Sequence, residues 1–353
     1  MHDLSVIIVN YKSEKFLKPC LASLFNQRTQ FTYQCTIINN DSSEIQKINH
    51  LINTFNQINI LHRNNVGFAA GNNIGIRLTK CEFILCINPD IILTSTFLEI
   101  MMKKIKENKN TGAICGKLLR YDSVHNSKTN IIDSTGLIIK RNRRVFDRGQ
   151  NEKDIGQYDT PEEVFGVSAA TALYRKEALE DTKVVIPPSR NATEDSRLFN
   201  AVGGSEYFDE DFFVYKEDVD LSWRLRLAGW KLLYEPTAIA YHVRGTGALS
   251  DKSTPWQIMQ NRRKTISVLV KIWSYRNQRL MQIKNEQWQN FLSDFLVIIA
   301  REAMTFFYIL LIEPFLFKGF FQFLTLLPRT IKKRRVIIKK SRVSWREIRK
   351  WFK

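Results

Sequence analysis

The sequence is short of cysteine, and the few cysteines it has form neither a metal-binding nor a disulfide pattern. All five (Cys20, Cys35, Cys81, Cys86 and Cys115) lie in the first third of the 353-residue chain. Their number is odd and no two are spaced like a ligand pair, which argues against a zinc site or a disulfide framework. We therefore expect buried thiols in a reducing compartment.

Long apolar runs are also missing. The most apolar segment, residues 291–327, is broken by Arg301-Glu302 and Glu313-Pro314, which leaves pieces shorter than the roughly 20 residues of a comfortable membrane span. No signal-peptide pattern precedes the first apolar run, so we expect a cytosolic or cytosol-facing chain. The hydrophobic content of 44% nevertheless excludes a disordered protein.

Acidic residues are scarce near the C-terminal end. The formal net charge is +18, and residues 328–353 contain 12 lysines and arginines but a single acid. Such a run suits anionic lipid or nucleic acid. Nucleic acid is the weaker interpretation, because the neighbouring aromatic residues form apolar blocks and do not alternate with basic residues.

These patterns divide the chain into three predicted parts. Residues 1–255 form an α/β domain, residues 256–327 a helical, membrane-associating region, and residues 328–353 a basic tail that binds an anionic membrane surface. The apolar helices are expected to lie in the membrane plane or to re-enter it. The alternative is a buried helical hairpin or a homo-oligomer interface.

Short apolar runs alternate with helical patterns through the first 120 residues, which indicates a mostly parallel sheet in a doubly wound α/β layer. The predicted strands are Leu4–Val9, Cys35–Ile38, Ile58–Leu61 and Phe83–Ile87, and the predicted helices lie near Phe16–Phe25, Glu44–Phe55 and Ala69–Leu78. The rest of the pattern predicts an irregular segment 121–160 with a hairpin around Ile131–Ile139, strands at Gly166–Tyr174, Lys231–Tyr234 and Ala238–His242, and a helix over Trp256–Trp273.

Polar residues follow each of the four N-terminal strands. They are Asn10-Tyr11, Asn39-Asn40-Asp41-Ser42, Arg63-Asn64-Asn65 and Asn88-Pro89-Asp90. Because ligands of open α/β sheets bind beyond the carboxyl ends of the strands, we expect these residues to line one crevice.

Three carboxylates, Glu217, Asp218 and Asp220, fall within four positions of the sequence. They precede a leucine-rich pattern that ends at Gly229, which predicts a short amphipathic helix with the acids at its N-terminus. Crowded carboxylates beside an apolar segment indicate that a proton, a cation or a substrate is handled there. The alternative is an acidic helix cap without further function.

Taken together, these motifs resemble the inverting family 2 glycosyltransferases, and in particular their rhamnosyltransferase-like branch. The resemblance spans residues 3–265 and includes the strand-end motifs, Asn65-Val-Gly-Phe-Ala-Ala-Gly-Asn-Asn-Ile-Gly75, Gly166-Val-Ser-Ala-Ala, Phe208-Asp-Glu-Asp-Phe-Phe-Val-Tyr-Lys-Glu-Asp-Val-Asp-Leu and His242, in the family's order. It implies a GT-A fold, a nucleotide-sugar donor, a Mg²⁺ or Mn²⁺ ion on the donor diphosphate, and an acceptor hydroxyl activated by one carboxylate.

The resemblance assigns the metal ligands to Asp90 and His242. A divalent ion with oxygen ligands stabilises the charge that develops on a diphosphate leaving group. The family usually has an acid–x–acid triplet at this strand end, whereas this chain has Asn88 in the first position, where its side chain would contact the ribose or a coordinating water. The alternative for His242 is a structural histidine at a strand end.

The resemblance assigns the base to Asp218, with Glu217 orienting the acceptor. Crowding by the neighbouring carboxylates is expected to raise the proton affinity of Asp218 into a useful range. Asp220 is expected to cap its helix or to brace Arg224. A single base facing a departing diphosphate implies inversion at the anomeric carbon.

The resemblance also implies the donor contacts. Asn39 stands where the family commonly has an aspartate that reads uracil or thymine; its amide can still accept and donate, and Asp41 is a nearby alternative. The other implied contacts are Asn10, Tyr11, Asn65, Gly67, Asn72 or Asn73, Asn88, and Arg244 in a loop that would close over the diphosphate. The alternative for the glycine-rich segment is helix capping and close packing.

The expected function is transfer of a sugar, L-rhamnose from dTDP-rhamnose being the first choice, to a lipid-linked or polysaccharide acceptor in cell-surface glycan synthesis. The chain would work at the cytoplasmic face of a bacterial inner membrane as a peripheral or monotopic protein. One alternative is transfer from a UDP-sugar to a soluble glycan or protein. Another is a non-catalytic protein that binds nucleotide sugars or a membrane surface.

Overall fold

The computed structural model describes residues 2–55, 57–185, 205–243 and 266–353. Its strands are β1 (Leu4–Asn10), β2 (Tyr33–Asn39), β3 (Ile58–His62), β4 (Phe83–Ile87), β5 (Ile91–Leu93), β6 (Thr111–Asp122), β7 (Ser127–Ser134), β8 (Leu137–Ile139), β9 (Val145–Asp147), β10 (Glu162–Glu163), β11 (Thr171–Arg175), β12 (Val184–Val185), β13 (Ser205–Glu206) and β14 (Lys231–His242).

The α-helices of the described residues are α1 (Glu14–Phe25), α2 (Ile45–Ile52), α3 (Gly67–Leu78), α4 (Phe97–Glu107), α5 (Lys176–Thr182), α6 (Glu217–Leu227), α7 (Val268–Asn285), α8 (Trp288–Ser293), α9 (Phe295–Leu311), α10 (Phe317–Lys339) and α11 (Trp345–Arg349). Short 3₁₀ turns lie at Ser42–Glu44, Glu210–Phe212 and Pro314–Leu316.

A ten-stranded mixed sheet forms the centre of the molecule, in the order β10-β14-β6-β11-β4-β1-β2-β3, with β5 paired to β14 and β7 to β6. Strands β4, β1, β2 and β3 are parallel to one another, which confirms the predicted parallel layer. Helices α1, α2 and α4 pack on one face of the sheet, and α3, α5 and α6 on the other. All four polar strand ends therefore lie at one edge.

Strand β14 corrects the prediction of two separate strands at Lys231–Tyr234 and Ala238–His242. It is one strand parallel to β6, with a shift of register between Glu235 and Ile239. Pro236 lies within this irregular stretch and has no N–H to donate to a ladder. This irregular stretch explains why the sequence pattern predicted two strands where the structure has one.

The segment 121–160 is more regular than predicted. Strand β7 pairs with β6, and a separate hairpin joins β8 to β9, so the hairpin expected around Ile131–Ile139 does not form. The first half of β7 is largely exposed and polar, and this composition hides a strand from a hydrophobic pattern.

All five cysteines are buried free thiols, as predicted. Burial raises the pKa of Cys35 and of Cys115 to about 12, so both thiols are protonated at neutral pH. A neutral thiol in an apolar layer packs as a small hydrophobic side chain.

The C-terminal helices pack on the α/β domain and share a core with it. Trp223 of α6 and Phe352 near the C-terminus belong to one apolar cluster together with residues of α7 and α10. The boundary predicted between residues 327 and 328 falls inside α10, and the one predicted at residue 255 lies outside the described residues. The basic segment is therefore folded onto the protein as helices and is not a free tail.

A buried network of charges joins these helices to the segment before α6. The Nζ atom of Lys333 in α10 lies 2.7 Å from a carboxylate oxygen of Glu206 and 2.7 Å from one of Asp211, and it also contacts Asp209. Lys284 of α7 contacts Asp209 and lies 2.9 Å from Asp220. Burial raises the pKa of Asp209, but the two lysine charges outweigh it and hold that pKa well below its usual range.

We expect Lys333→Met to destabilise the fold by about 3–5 kcal/mol, because it leaves buried carboxylates without their cation. Lys332→Met is the matched control, since Lys332 is the exposed neighbour on the same helix and should change stability by less than about 0.5 kcal/mol. Urea denaturation of both variants measures the difference. Equal free energies of unfolding for the two variants would show that this network does not contribute to stability as proposed.

Candidate active site

The ends of β1 and β2 carry several of the residues predicted to contact the donor nucleotide. Asn10 and Asn39 are both buried, and Nδ2 of Asn10 donates to Oδ1 of Asn39 over 2.9 Å. Nδ2 of Asn39 donates to the carbonyl of Asp41 and lies 3.1 Å from Nδ1 of His62. These partners engage both the oxygen and the amide of Asn39, and its role in reading the base stays a prediction.

Asp41 is better placed than Asn39 to accept a hydrogen bond from a ligand. Its Oδ1 accepts hydrogen bonds from the hydroxyl of Ser43 at 2.6 Å and the amide of Ser43 at 3.0 Å, and these bonds lower the pKa of Asp41. Its Oδ2 is buried and has no partner among the described residues. The free oxygen of an ionised carboxylate is a strong acceptor for an N–H donor. Tyr11, at the neighbouring strand end, is 44% exposed.

Most side chains of the glycine-rich segment make contacts within the protein and are not exposed to a ligand. Gly67 has φ +86°, and a Cβ atom there would lie 2.6 Å from the ring of Phe213. Asn72 is 1% exposed and donates to the carbonyl of Phe68 within its own helix, and its contact with the donor stays a prediction. Asn65 is exposed at the start of α3, where its Oδ1 accepts from the amide of Gly67.

Asn73, the other residue considered for the donor, is also structural. It is fully buried, and its amide donates to the carbonyl of Phe208 at 2.8 Å and to Glu210 at 2.9 Å. The capping and packing alternative therefore describes this segment better. Arg244 and the loop predicted to close over the diphosphate lie outside the described residues.

Asp90 and His242 face each other across the pair formed by β5 and β14. His242 Nε2 lies 3.3 Å from a carboxylate oxygen of Asp90, and Nδ1 lies 2.7 Å from Asp133. Burial lowers the pKa of His242, but the two carboxylates outweigh burial and raise that pKa to about 9. Asp133 was not predicted as a site residue, because it lies within the expected hairpin around Ile131–Ile139 and belongs to none of the motifs.

These side chains form a small set of potential cation ligands. Asp90 and Nε2 of His242 converge, and the buried Oδ1 of Asn88 at the same strand end has no hydrogen-bond partner among the described residues. Within the described ranges, no group of three or more His, Cys, Asp or Glu residues could hold a metal ion. The protein therefore offers at most a partial shell, which suits a cation whose other ligands come from a diphosphate and water.

The two acids at the start of α6 have different surroundings. Glu217 is 5% exposed, and its Oε2 has no partner within the described part of the chain. Burial, followed by the charge of Asp218, raises the pKa of Glu217 well above its usual range. Burial also raises the pKa of Asp218, but backbone N–H groups of Val219 and Ala169 donate to its two oxygens at 2.8 and 3.4 Å. These donors to both of its oxygens favour the ionised form of Asp218, whereas Oε2 of Glu217 has no such donor in the described part of the chain.

A short chain of backbone contacts connects the two halves of the site. Ala169, whose amide reaches Asp218, is followed by Ala170, whose carbonyl accepts from the amide of Asn88 over 2.8 Å. Asn88 is two residues before Asp90. The backbone contacts thus link the predicted base to the strand end that bears Asp90, and Asp90 in turn contacts His242.

Helix α6 is not the amphipathic helix that was predicted. Ten of its residues from Glu217 to Leu227 are buried. Its charged residues are paired inside the protein: Asp220 accepts from Nε of Arg224 at 2.9 Å, as expected, and also from Asn285 of α7 at 2.7 Å. A helix covered on both sides needs such pairing because an unpaired buried charge is unstable. The contribution of α7 gave no signal in the sequence.

Comparisons with known proteins agree with this geometry. A family model described as "Glycosyl transferase family 2" matches residues 5–182, which is half of the chain. Glycosyltransferase GlyG of Streptococcus pneumoniae is 28% identical over 125 residues, which are 34% of this chain and 40% of GlyG. Poly-β-1,6-N-acetyl-D-glucosamine synthase of Staphylococcus epidermidis is 26% identical over 180 residues, which are 50% of this chain and 34% of the synthase.

The chain therefore spans well under half the length of these curated relatives. Among solved structures, the crystal structure of GalNAc-T7 with UDP, GalNAc and Mn²⁺ aligns with a TM-score of 0.52 over 80% of this chain and 51% of that one. The sequence identity is 11%, so this likeness concerns the fold. It supports the predicted GT-A architecture.

We expect Asp41→Asn to weaken the binding of UDP and dTDP at least about tenfold, since a hydrogen bond to a charged group contributes about 1.5–3 kcal/mol. The substitution keeps Oδ1 and replaces the free Oδ2 with a donor. Ser43→Ala is the control, because it removes a hydrogen bond to Oδ1 and leaves Oδ2 intact. Isothermal titration calorimetry measures the affinity of both variants for UDP and dTDP. Unchanged affinity in Asp41→Asn would show that Asp41 does not contact the nucleobase.

Proposed function

We propose that this chain, a glycosyltransferase that belongs to glycosyl transferase family 2, moves a sugar from a nucleotide-diphosphate donor to an acceptor hydroxyl with inversion at the anomeric carbon. The observation that carries the proposal is the connection of Asp218 through Ala169 and Ala170 to the strand end that bears Asp90. Such a reaction needs a base close to the residues that hold the diphosphate, and these contacts link the proposed base to the strand end proposed for that role.

The residues of the chain supply the proton transfer and the positioning. Asp218 accepts the proton of the acceptor hydroxyl as that oxygen attacks the anomeric carbon. The bond from this carbon to the diphosphate oxygen breaks on the opposite face, and the nucleoside diphosphate leaves with the electron pair. Burial and the charge of Asp218 raise the pKa of Glu217, which favours the protonated form of its carboxyl group, and that form can donate a hydrogen bond to the acceptor.

Asp90 and His242 are the residues that would hold a Mg²⁺ or Mn²⁺ ion, with Asn88 beside them. When bound, such an ion stabilises the negative charge of the leaving diphosphate. A cation at Nε2 would replace the proton that His242 carries at neutral pH. Asp133 accepts from Nδ1 and would hold the ring in the orientation for that role.

Two donors are supported by different observations. L-rhamnose from dTDP-rhamnose follows from the resemblance of the sequence motifs. UDP-N-acetylglucosamine is the second candidate, because a matching relative is named as a poly-β-1,6-N-acetyl-D-glucosamine synthase. A carboxylate oxygen such as Oδ2 of Asp41 can accept the imino N–H of either thymine or uracil, so this residue does not discriminate between the two nucleotides.

The acceptor is proposed to be lipid-linked or a growing cell-surface polysaccharide at the cytoplasmic face of the membrane. Helices α8 to α10 support this proposal with a large exposed apolar surface, which includes Leu296, Met304, Phe307, Leu311 and Phe321. Apolar surface of this extent on a monomer marks an interaction site.

Exposed lysines and arginines border the apolar surface. They are Lys318, Lys332, Arg335 and Lys339 on α10. Basic residues beside an apolar helical face favour an anionic bilayer over a second copy of a chain with net charge +18. In the described ranges no single helix is long and apolar enough to cross a bilayer; the segments Phe295–Leu311 and Pro314–Lys339 meet the length and composition criteria only as a pair bent by 117°.

We expect Asp218→Asn to lower the rate of sugar transfer at least ~10²-fold while donor affinity stays the same, because it removes a general base. Glu217→Gln is the matched control. Glutamine imitates the protonated form of Glu217, so transfer should stay within about tenfold of the wild type at neutral pH. Assays with dTDP-rhamnose and UDP-N-acetylglucosamine measure both variants. Full activity of Asp218→Asn would refute the assignment of the base.

We expect Phe307→Glu combined with Leu311→Glu to reduce pelleting with phosphatidylglycerol vesicles at least tenfold, since burial of each side chain contributes about 1.5–3 kcal/mol. The control is Val124→Glu combined with Ile155→Glu, two exposed apolar residues outside α8 to α10. Vesicle sedimentation measures both proteins. Unchanged pelleting would contradict the membrane proposal, and a shift from oligomer to monomer without vesicles would favour the oligomer interface.

A further inference from the structure

The backbone immediately before the catalytic pair is held in an unusual conformation. Phe213, Tyr215 and Lys216 have φ values of 65°, 70° and 72°, in the left-handed region that residues other than glycine rarely adopt. Residues in such conformations persist only where the surrounding structure determines them, and they cluster at functional sites. The contacts of this segment, residues 211–216, therefore identify what holds it.

Helix α7 supplies most of those contacts. Nδ2 of Asn277 lies 2.9 Å from the carbonyl oxygen of Phe212, 3.0 Å from that of Val214 and 2.9 Å from that of Tyr215. The neighbouring Arg276 donates to the carbonyl of Asp211 over 2.8 Å and, through its Nε, to Oδ1 of Asn277. Asn277 is fully buried, and the two N–H groups of its amide are shared among three carbonyls of the left-handed segment.

The remaining carbonyls are also satisfied, by groups on either side of the site. The carbonyl of Phe213 accepts from the amides of Phe68 and Ala69 at the start of α3. The carbonyl of Lys216 accepts from the amide of Asp220 and so begins α6. The segment is therefore fixed between α3, α6 and α7. Asn277 is the side chain that holds the backbone in the middle of the segment, at Val214 and Tyr215.

We infer that Asn277 is a positioning residue for the transfer reaction: it holds the left-handed segment so that Asp218 and Glu217 face the acceptor. The inference rests on the proposed function. It assigns Asn277 no contact with substrate. Without its amide, the carbonyls of Val214 and Tyr215 would lose a donor in the described structure, the backbone would relax toward ordinary φ values, and the two acids would move away from their working positions.

The test compares Asn277→Ala with Gln282→Ala. Both residues are buried polar side chains of α7, but Gln282 contacts Arg301 of α9 and not the left-handed segment. We expect Asn277→Ala to lower kcat at least ~10-fold with the donor KM within about threefold of the wild type, since a misplacement of about 1 Å can cost roughly 10²-fold. Gln282→Ala should leave kcat unchanged even where it lowers the melting temperature.

Hydrogen–deuterium exchange separates this inference from the proposed function. Amides of residues 213–219 should exchange faster in Asn277→Ala than in the wild type or in Gln282→Ala, with no substrate present. If the wild type transfers no sugar, the proposed function fails. The exchange data still test whether Asn277 holds the left-handed segment in place.

Unchanged exchange in Asn277→Ala, or an equal loss of kcat in Gln282→Ala, would overturn the inference. Should Asn277→Ala not fold, Asn277→Ser keeps one short donor and is expected to show the same two effects to a smaller degree. A folded Asn277→Ser variant with wild-type kcat and wild-type exchange would also overturn it.

Discussion

A carboxylate that folding removes from water must be matched by a cation or by hydrogen-bond donors, and this requirement organises the C-terminal half of the molecule. Asp209 and Asp220 meet lysines of α7 and α10, so these helices are fixed against the segment that leads into α6. Asp218 lies beside them but is held by backbone N–H groups, and Glu217 keeps an oxygen without a partner in the described structure. Acids paired with lysines therefore stabilise the fold, and the two acids without a lysine partner among the described residues are those proposed to act in the transfer reaction.

The sequence was sufficient to predict the part of the fold that depends on local patterns. Strands such as Leu4–Asn10 are runs of β-branched and apolar residues, and the helices between them repeat with the expected period, so their alternation identified the parallel layer. The polar strand ends were predicted to share an edge because the geometry of parallel strands requires it. Asp90, His242 and Asp218 could be predicted together because each belongs to a motif.

Other parts could not be predicted because they depend on contacts between distant residues. Asn39 and Asn72 occupy motif positions, yet both side chains are buried and donate to groups within the protein, and only the packed structure reveals this. Asp133 reaches His242 from a strand whose polar first half concealed it. Asn277 lies in a helix whose sequence has no motif, and its role depends on the left-handed backbone that it contacts.

The position of the exposed apolar surface relative to the cleft follows from the same packing. Ile272 of α7, Ile309 of α9 and Leu316 form one buried cluster. Helix α7, which contacts the left-handed segment, therefore also packs against the helices that carry the exposed apolar surface. A surface attached through a packed core keeps a fixed orientation to the acids, whereas one attached through a flexible linker would sample many orientations. If α8 to α10 dock on a bilayer, the height of Asp218 above the lipid is therefore set by side-chain packing. An acceptor anchored in that bilayer would then need a reach matched to this height, and soluble acceptors would have no such requirement.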